Sequence, residues 1–439
     1  MADRSLLERL GLHRRELRAW AGYDFGNSAF MTTVVLIFPV YFVRVPAAAL
    51  SPALARSRVA FASSAAVVLV GLLGPWLGAV ADLRGRKKAF LGAFLALGVA
   101  ATAALALASS GRWLVALVAF VLANVGFTST LAFYNALLPG IASVDEIDRV
   151  STGGFALGYL GGGLLFALDL CMIGNPGTFG LADSAAATRL SFLSVAAWWA
   201  LFSIPLFQRV PEPTAAGGVA EAAGTSAARA ALGRLAASVR ELRRRRDAGL
   251  VLLAFFLYNE GINTIIRMAT LFGDDIRIPA PQMMLALLMV QVVGMPFAFA
   301  FGWLADRIGA RQAIFVALAV YAGIAMYAFV LRTVVQFFVL ALLVATVQGG
   351  AQALSRSLFA TLVPRDKAGE MFGFFGVCDR VGNGAIGSLL FGLMLLLTGS
   401  SRPAVLALVI FFAAGGLVLS RVDIERGRRL AREAEATAA

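Results

Sequence analysis

Charge is scarce in this 439-residue chain: Asp, Glu, Lys and Arg make up 14% of it, where soluble domains carry about a quarter. Histidine is nearly missing. His13 is the only one, which removes Ser-His and Cys-His catalysis and every two-histidine metal motif. The two cysteines, Cys171 and Cys378, lie in separate apolar runs, so neither a disulfide framework nor a cysteine metal site is expected. No G-x-x-x-x-G-K-[ST] occurs, which leaves ATP-driven pumping without its phosphate cradle. No metal and no cofactor is expected, and the chain is not expected to be an enzyme. The first 18 residues, MADRSLLERLGLHRRELR, lack the apolar core of a signal peptide, so the first apolar run is expected to be retained.

What remains is apolar. The chain is 60% hydrophobic with a mean hydropathy of +0.82, and apolar runs of the roughly 20 residues needed to cross a bilayer recur along it. Charge clusters and Pro/Gly punctuation divide it into twelve expected spans: 19–42, 58–81, 89–109, 113–138, 151–172, 189–208, 248–272, 282–305, 312–331, 334–361, 371–398 and 403–420. The expected fold is therefore all-α and polytopic. Residues 19–209 form one six-helix half and 248–420 the other, with tails 1–18 and 421–439 and a central loop 210–247. Of the 38 Lys and Arg, 27 fall on the side of the two tails, 8 on the other side and 3 within spans, which places both termini in the cytoplasm. The net charge of +13 is explained by that face without any nucleic acid. In the central loop, RLAASVRELRRRRD reads as a topology anchor, with a basic helix lying on the anionic leaflet as the alternative.

The halves repeat. GAVADLRGRKK (Gly78 to Lys88) is echoed by GWLADRIGARQ (Gly302 to Gln312), matching Asp82 with Asp306 and Gly85 with Gly309. FYNALLP matches LFATLVP at Pro139 and Pro364, and YDFGN matches YNEGIN at Tyr23 with Tyr258 and Gly26 with Gly261. Spans 3, 6, 9 and 12 carry no charge or amide inside and are expected to face lipid. Spans 1, 4, 7 and 10 carry polar stripes. Asn259, Glu260, Asn263 and Arg267 share an arc of about 100° in span 7; Gln348, Gln352, Ser355 and Arg356 do so in span 10, and Asn124, Thr128 and Asn135 in span 4. In span 1, Asp24, Asn27, Ser28 and Met31 lie on one face. Such groups are costly against lipid, so the stripes are expected to line a central hydrated cavity. The glycines of GGFALGYLGGG and GFFGVCDRVGNGAIG are expected at close helix crossings.

GAVADLRGRKK resembles the G-x-x-x-D-x-x-G-R-[RK]-[RK] signature between helices 2 and 3 of the major facilitator superfamily. Through that resemblance Gly78, Asp82, Gly85 and Arg86 become a conformational-switch motif, with Asp82 steadying one state through the N-terminus of helix 11 and nearby basic groups. The second copy, Asp306 and Gly309, is degraded after the glycine (Ala310, Arg311, Gln312). WAGYDFGNSAF, FYNALLPGIA, ALGYLGGGLL, YNEGINTII and GGAQALSRSLFATLVP are similar to the vacuole-effluxer-like branch, related to fungal autophagy-associated amino-acid exporters. The resemblance implies secondary transport of amino acids or other small polar solutes by alternating access. An Arg-heavy, Lys-poor chain with compact loops points to a bacterial inner membrane. The expected partners are the solute and the bilayer, and the expected state is a monomer.

A zwitterionic amino acid needs a cation, an anion and amides. Arg267 or Arg356 would take its carboxylate and Glu260 or Asp24 its ammonium, with Asn259, Asn263, Gln348, Gln352, Asn27, Asn124 and Asn135 completing the shell. Glu260, Asp24 and Asp379 are the candidates for a coupling proton, because burial raises a carboxyl's proton affinity. Against this stands simple pairing between helices: Asp379 with Arg356, Asp24 with Arg380, or Glu260 with Arg267. Two other classes remain open: a transporter fold serving as sensor or scaffold, and an intramembrane aspartyl protease using Asp24 of Tyr23-Asp24 and Asp274 of LFGDD.

Overall fold

In a computed structural model, residues 5–212, 245–275, 278–381, 385–398 and 401–438 are described. The central basic segment lies outside the described residues up to position 244, and so do the side chains of Arg267, Asp274 and Arg380. No strand occurs among the described residues. A chain this apolar has to close its backbone hydrogen bonds within each segment, and helices do so.

After a short turn at Leu6–Arg9, the long helices are α1 Arg15–Arg44, α2 Pro52–Arg84, α3 Lys87–Leu107, α4 Trp113–Ile141, α5 Ile147–Gly174 and α6 Ser184–Arg209. The second half contains α7 Arg246–Asp275, α8 Ala280–Ile308, α9 Ala310–Val330, α10 Val334–Ala360, α11 Ala368–Val381, α12 Ala385–Thr398, α13 Ser401–Ala407 and α14 Val409–Ser420, followed by α15 Ile424–Ala438. Ten described helices are long and apolar enough to span a membrane. The 33-residue α2 and the pair α11 and α12 stand where the second and eleventh spans were expected.

Local chemistry sets the boundaries. Ser51 and Asp183 accept from the backbone N–H of Leu54 and Ala186 at 3.3 and 2.7 Å, capping α2 and α6. Thr333 and Gln336 form a capping box at α10. Gly85 ends α2 at φ 58° and Gly309 ends α8 at φ 85°, the left-handed region that glycine enters without a Cβ penalty. These are the matched glycines of the sequence repeat. A second matched pair makes the same crossing in each half: a Cβ on Gly26 would meet Phe202 of α6 at 2.9 Å, and one on Gly261 would meet Phe412 of α14 at 2.7 Å. Helix α1 is interrupted by a π-helical turn at Phe30–Val34.

The two halves meet along α2 against α11 and α5 against α8, with α10 and α4 filling the seam. Burial is lowest in α8, at 22% of its apolar window, followed by α3 and the span formed by α13 and α14 at 33% each and α6 at 39%, while α7 reaches 61%. Helix α9, at 44%, equals α10, and α8, outside the expected lipid-facing class, is the least buried, so burial does not single that class out.

Candidate functional site

The seam is tied by one arginine. Arg356, 4% exposed, projects from α10 into the first half. Its Nε donates to Ser151 Oγ at 2.8 Å and one terminal nitrogen to the Ser151 carbonyl at 2.7 Å. The other terminal nitrogen reaches Asn135 Oδ1 at 3.3 Å and Asp24 Oδ2 at 3.4 Å. Tyr134 donates its hydroxyl to the same Asp24 oxygen at 2.9 Å. Trp20 stacks on Tyr134 with ring centroids 4.4 Å apart, and the guanidinium lies 4.8 Å from the Trp20 ring and 4.6 Å from that of Phe155. Planar, delocalised and weakly hydrated, guanidinium suits such a stacked, hydrogen-bonded position better than an ammonium would.

This corrects one expected pairing: Arg356 is joined to Asp24 and not to Asp379. Asp24 is engaged by Arg356 and Tyr134, and the side chain of Arg380, its expected partner, lies outside the described residues. Asp24 also shows no second carboxylate beside it among these contacts, as an aspartyl dyad requires. The structure leaves Arg356 committed to a lock between halves, with its donors used by protein groups.

A second group lies within the other half. Asn259, fully buried, donates to Asp379 Oδ1 at 3.1 Å and accepts from Gln352 at 3.4 Å. Glu260, 0% exposed, accepts the Gly387 N–H at 2.8 Å, in the first turn of α12, where an acceptor is favoured. Glu260 therefore reaches α12; the side chain of Arg267, its expected partner, lies outside the described residues. Tyr258 is hydrogen-bonded to Ser355. Gln352 and Arg356 stand four residues apart on one face of α10, so the two groups adjoin along that helix.

Other expected lining residues disperse. Asn27 is buried on the Asp24 face of α1. Asn124 donates to its own helix, to the Phe120 carbonyl at 2.8 Å, which takes it out of a converging shell. Asn263 and Gln348 are half-buried. Thr128 lines a narrow cleft between halves with Gly74, Ser129 and Gly376.

The glycine-rich loop motif sits at the end of the bundle that carries both termini. Asp82 Oδ1 and Oδ2 accept the N–H groups of Gly369 and Glu370 at 3.0 and 2.7 Å, the N-terminal turn of α11, and Lys87 Nζ stands 2.9 Å from Oδ1. Burial pushes the Asp82 carboxyl up, and Lys87 with the two amides pulls it back. A Cβ on Gly369 would lie 2.6 Å from Asp82 Oδ1, and one on Gly78 would overlap the Gly369 carbonyl, so both glycines are needed for this approach. Arg86 is exposed; the basic partner is Lys87, whose Nζ also reaches the Arg365 carbonyl at 3.3 Å. In the second copy, Asp306 pairs with Arg149 of the first half at 2.8 Å, so the degraded motif still makes a contact across the seam.

Sequence reasoning missed Tyr134, Ser151, Lys87 and Arg149. Tyr134 adjoins Asn135 in FYNALLP and Lys87 adjoins Arg86 in the loop motif, so their neighbours were in view. Ser151 and Arg149 carried no signal beyond their position at the start of span 5.

Residues 53–432 match the family model described as "Vacuole effluxer Atg22 like". The chain is 35% identical over 415 residues to a Bacillus subtilis (strain 168) protein described as an uncharacterized MFS-type transporter, YxiO, covering 94% of this chain and 95% of that one. It is 29% identical over 312 residues to Autophagy-related protein 22 of Yarrowia lipolytica, 64% of this chain but 51% of the fungal one, so it spans about half the length of that relative. The fold matches the human organic anion transporter MFSD10 (TETRAN) with a TM-score of 0.71 at 17% identity over 92% of this chain and 99% of that one. It matches the proton:xylose symporter XylE at 0.67 and 15%, over 96% and 98%. The chain thus belongs to the vacuole effluxer Atg22-like family of the major facilitator superfamily.

Proposed function

We propose that this protein is a monomeric secondary active transporter that moves small polar solutes, amino acids foremost, across a bacterial inner membrane by alternating access. In this reading it crosses twelve times, with α2 as the second span, α11 with α12 as the eleventh, and both termini cytoplasmic by the positive-inside bias. One observation carries the reading. The polar ties between the halves run from Arg356 with Asp24 to Asp82 with α11 and Arg149 with Asp306, and all lie toward the terminal end. Two rigid halves held at one end by breakable charge contacts are what a rocking mechanism requires. This conformation is then the one closed toward the cytoplasm.

Within it, Asn259, Gln352 and Asp379 offer donors and acceptors for an ammonium and a carboxylate, and Glu260 is the first candidate for a coupling proton. The amino-acid assignment draws support from the similarity of the quoted motifs to the vacuole-effluxer-like branch. The test is accumulation of labelled amino acids in proteoliposomes with and without an imposed pH gradient. Uptake above protein-free vesicles is expected. No uptake of any amino acid under either condition would set the substrate assignment aside, and the absence of exchange for every polar solute tried would favour a sensor.

A further inference from the structure

Asp169 is a buried acid that none of these roles uses. It lies in α5 five residues before the helix ends at Gly174, at the end of the bundle opposite the termini, and its side chain is 0% exposed. Ser194 of α6 donates to Oδ1 at 2.9 Å and Thr33 of α1 to Oδ2 at 3.2 Å. Thr33 sits in the π-helical turn of α1, which offsets its hydroxyl relative to a regular helix. Its neighbour Thr32 bonds the Gly162 carbonyl of α5 at 3.2 Å, so the turn is fastened to α5 on both sides. Such turns recur at functional positions.

Charged groups on the packed elements lie elsewhere. On α1 they are Arg15, Glu16, Arg18 and Asp24 near the terminal end and the exposed Arg44 at the other. Helix α6 has Arg189 and Arg209 with Asp183 as its cap; α8 has Asp306 and Arg307; α10 has Arg356; α5 itself has Asp148 and Arg149 at its start; α4 has none. None of these is hydrogen-bonded or ion-paired to Asp169 among the described residues. A buried carboxylate needs a cation or several strong donors to remain ionised. Two neutral hydroxyls are weaker partners. They suit a carboxylic acid equally, since a Thr or Ser hydroxyl accepts as readily as it donates.

We propose that Asp169 is a proton-binding site in the first half, carrying its proton in this conformation and exchanging it with the non-terminal side during the transport cycle. The step is a simple protonation: one proton joins one carboxylate oxygen and nothing is oxidised or reduced. The proposal requires that the chain span a membrane but not that the solute be an amino acid.

The full chain in lipid nanodiscs, compared by infrared difference spectroscopy between neutral and alkaline buffer, tests it without any substrate. Wild type is expected to show the carbonyl band of a buried protonated acid that bleaches on the alkaline side, and Asp169→Asn to lose it. Ser194→Ala and Thr33→Val keep the acid and remove one hydroxyl each, so the band should persist at a shifted frequency. An unaltered band in Asp169→Asn, or no shift in either hydroxyl variant, overturns the assignment. A midpoint that moves with added sodium chloride but not with choline chloride also overturns it, in favour of a small-cation site.

Discussion

Arg356 of the second half and Asp24 of the first form a buried ion pair at 3.4 Å, with Tyr134 donating to the same carboxylate. Removing one member leaves the other charged and desolvated, at a cost of about 3–5 kcal/mol, whereas replacing both is often nearly neutral. Arg356→Met should therefore lower the thermal unfolding midpoint in detergent more than the double variant Asp24→Asn/Arg356→Met does. Additive losses in the double variant would show that the two side chains do not depend on each other.

The Asp82 contact predicts a shift of conformation rather than of stability. Asp82→Asn keeps one acceptor for the α11 amides but loses the charge that Lys87 answers, a loss of roughly 1.5–3 kcal/mol for hydrogen bonds to a charged group. That is enough to move a two-state equilibrium about tenfold or more. Spin labels on Arg84→Cys and Arg365→Cys, both exposed, should report a longer and broader distance in Asp82→Asn. An unchanged distribution would mean that the contact does not hold the terminal end closed.

Much of the architecture was legible because it is written in periodic and repeated features. The apolar runs and the matched glycines at Gly85 and Gly309 depend on local backbone needs that a sequence carries directly. Partners across the seam are different. Arg356 had two acids at similar depth, and which one it meets is set by the rotation of α10 against α1, a tertiary quantity. Glu260 bonds a backbone N–H, which leaves no mark in residue identities. Lys87 rather than Arg86 stands beside Asp82 because α3 begins at Lys87, after the left-handed Gly85 and the non-helical Arg86 (φ −125°, ψ 44°).

Arg149 and Asp306 should behave as a weaker, exchangeable tie. The Asp306 side chain is 28% exposed, and exposed pairs contribute about 0–1 kcal/mol. Charge reversal by Arg149→Glu places two acids together and should slow substrate exchange in proteoliposomes a few-fold. Arg149→Glu with Asp306→Arg should restore it. Failure of the double reversal to recover the rate would assign the effect to the rest of the Arg149 environment, such as its bond to the Asp145 carbonyl at 3.3 Å.

Glu260 separates two roles by the choice of substitution. Glu260→Gln keeps an acceptor for the Gly387 N–H but cannot exchange a proton near neutral pH, so the protein should fold with its midpoint nearly unchanged. Its pH-driven accumulation should fall to the level of passive exchange while counterflow persists. Glu260→Ala also strips the acceptor from the first turn of α12, and an unpaired buried N–H costs about 1–3 kcal/mol, so the midpoint should drop as well. If Glu260→Gln transports against a gradient as wild type does while Glu260→Ala is destabilised, the carboxylate serves to hold α12 against α7, and the coupling proton belongs to another acid.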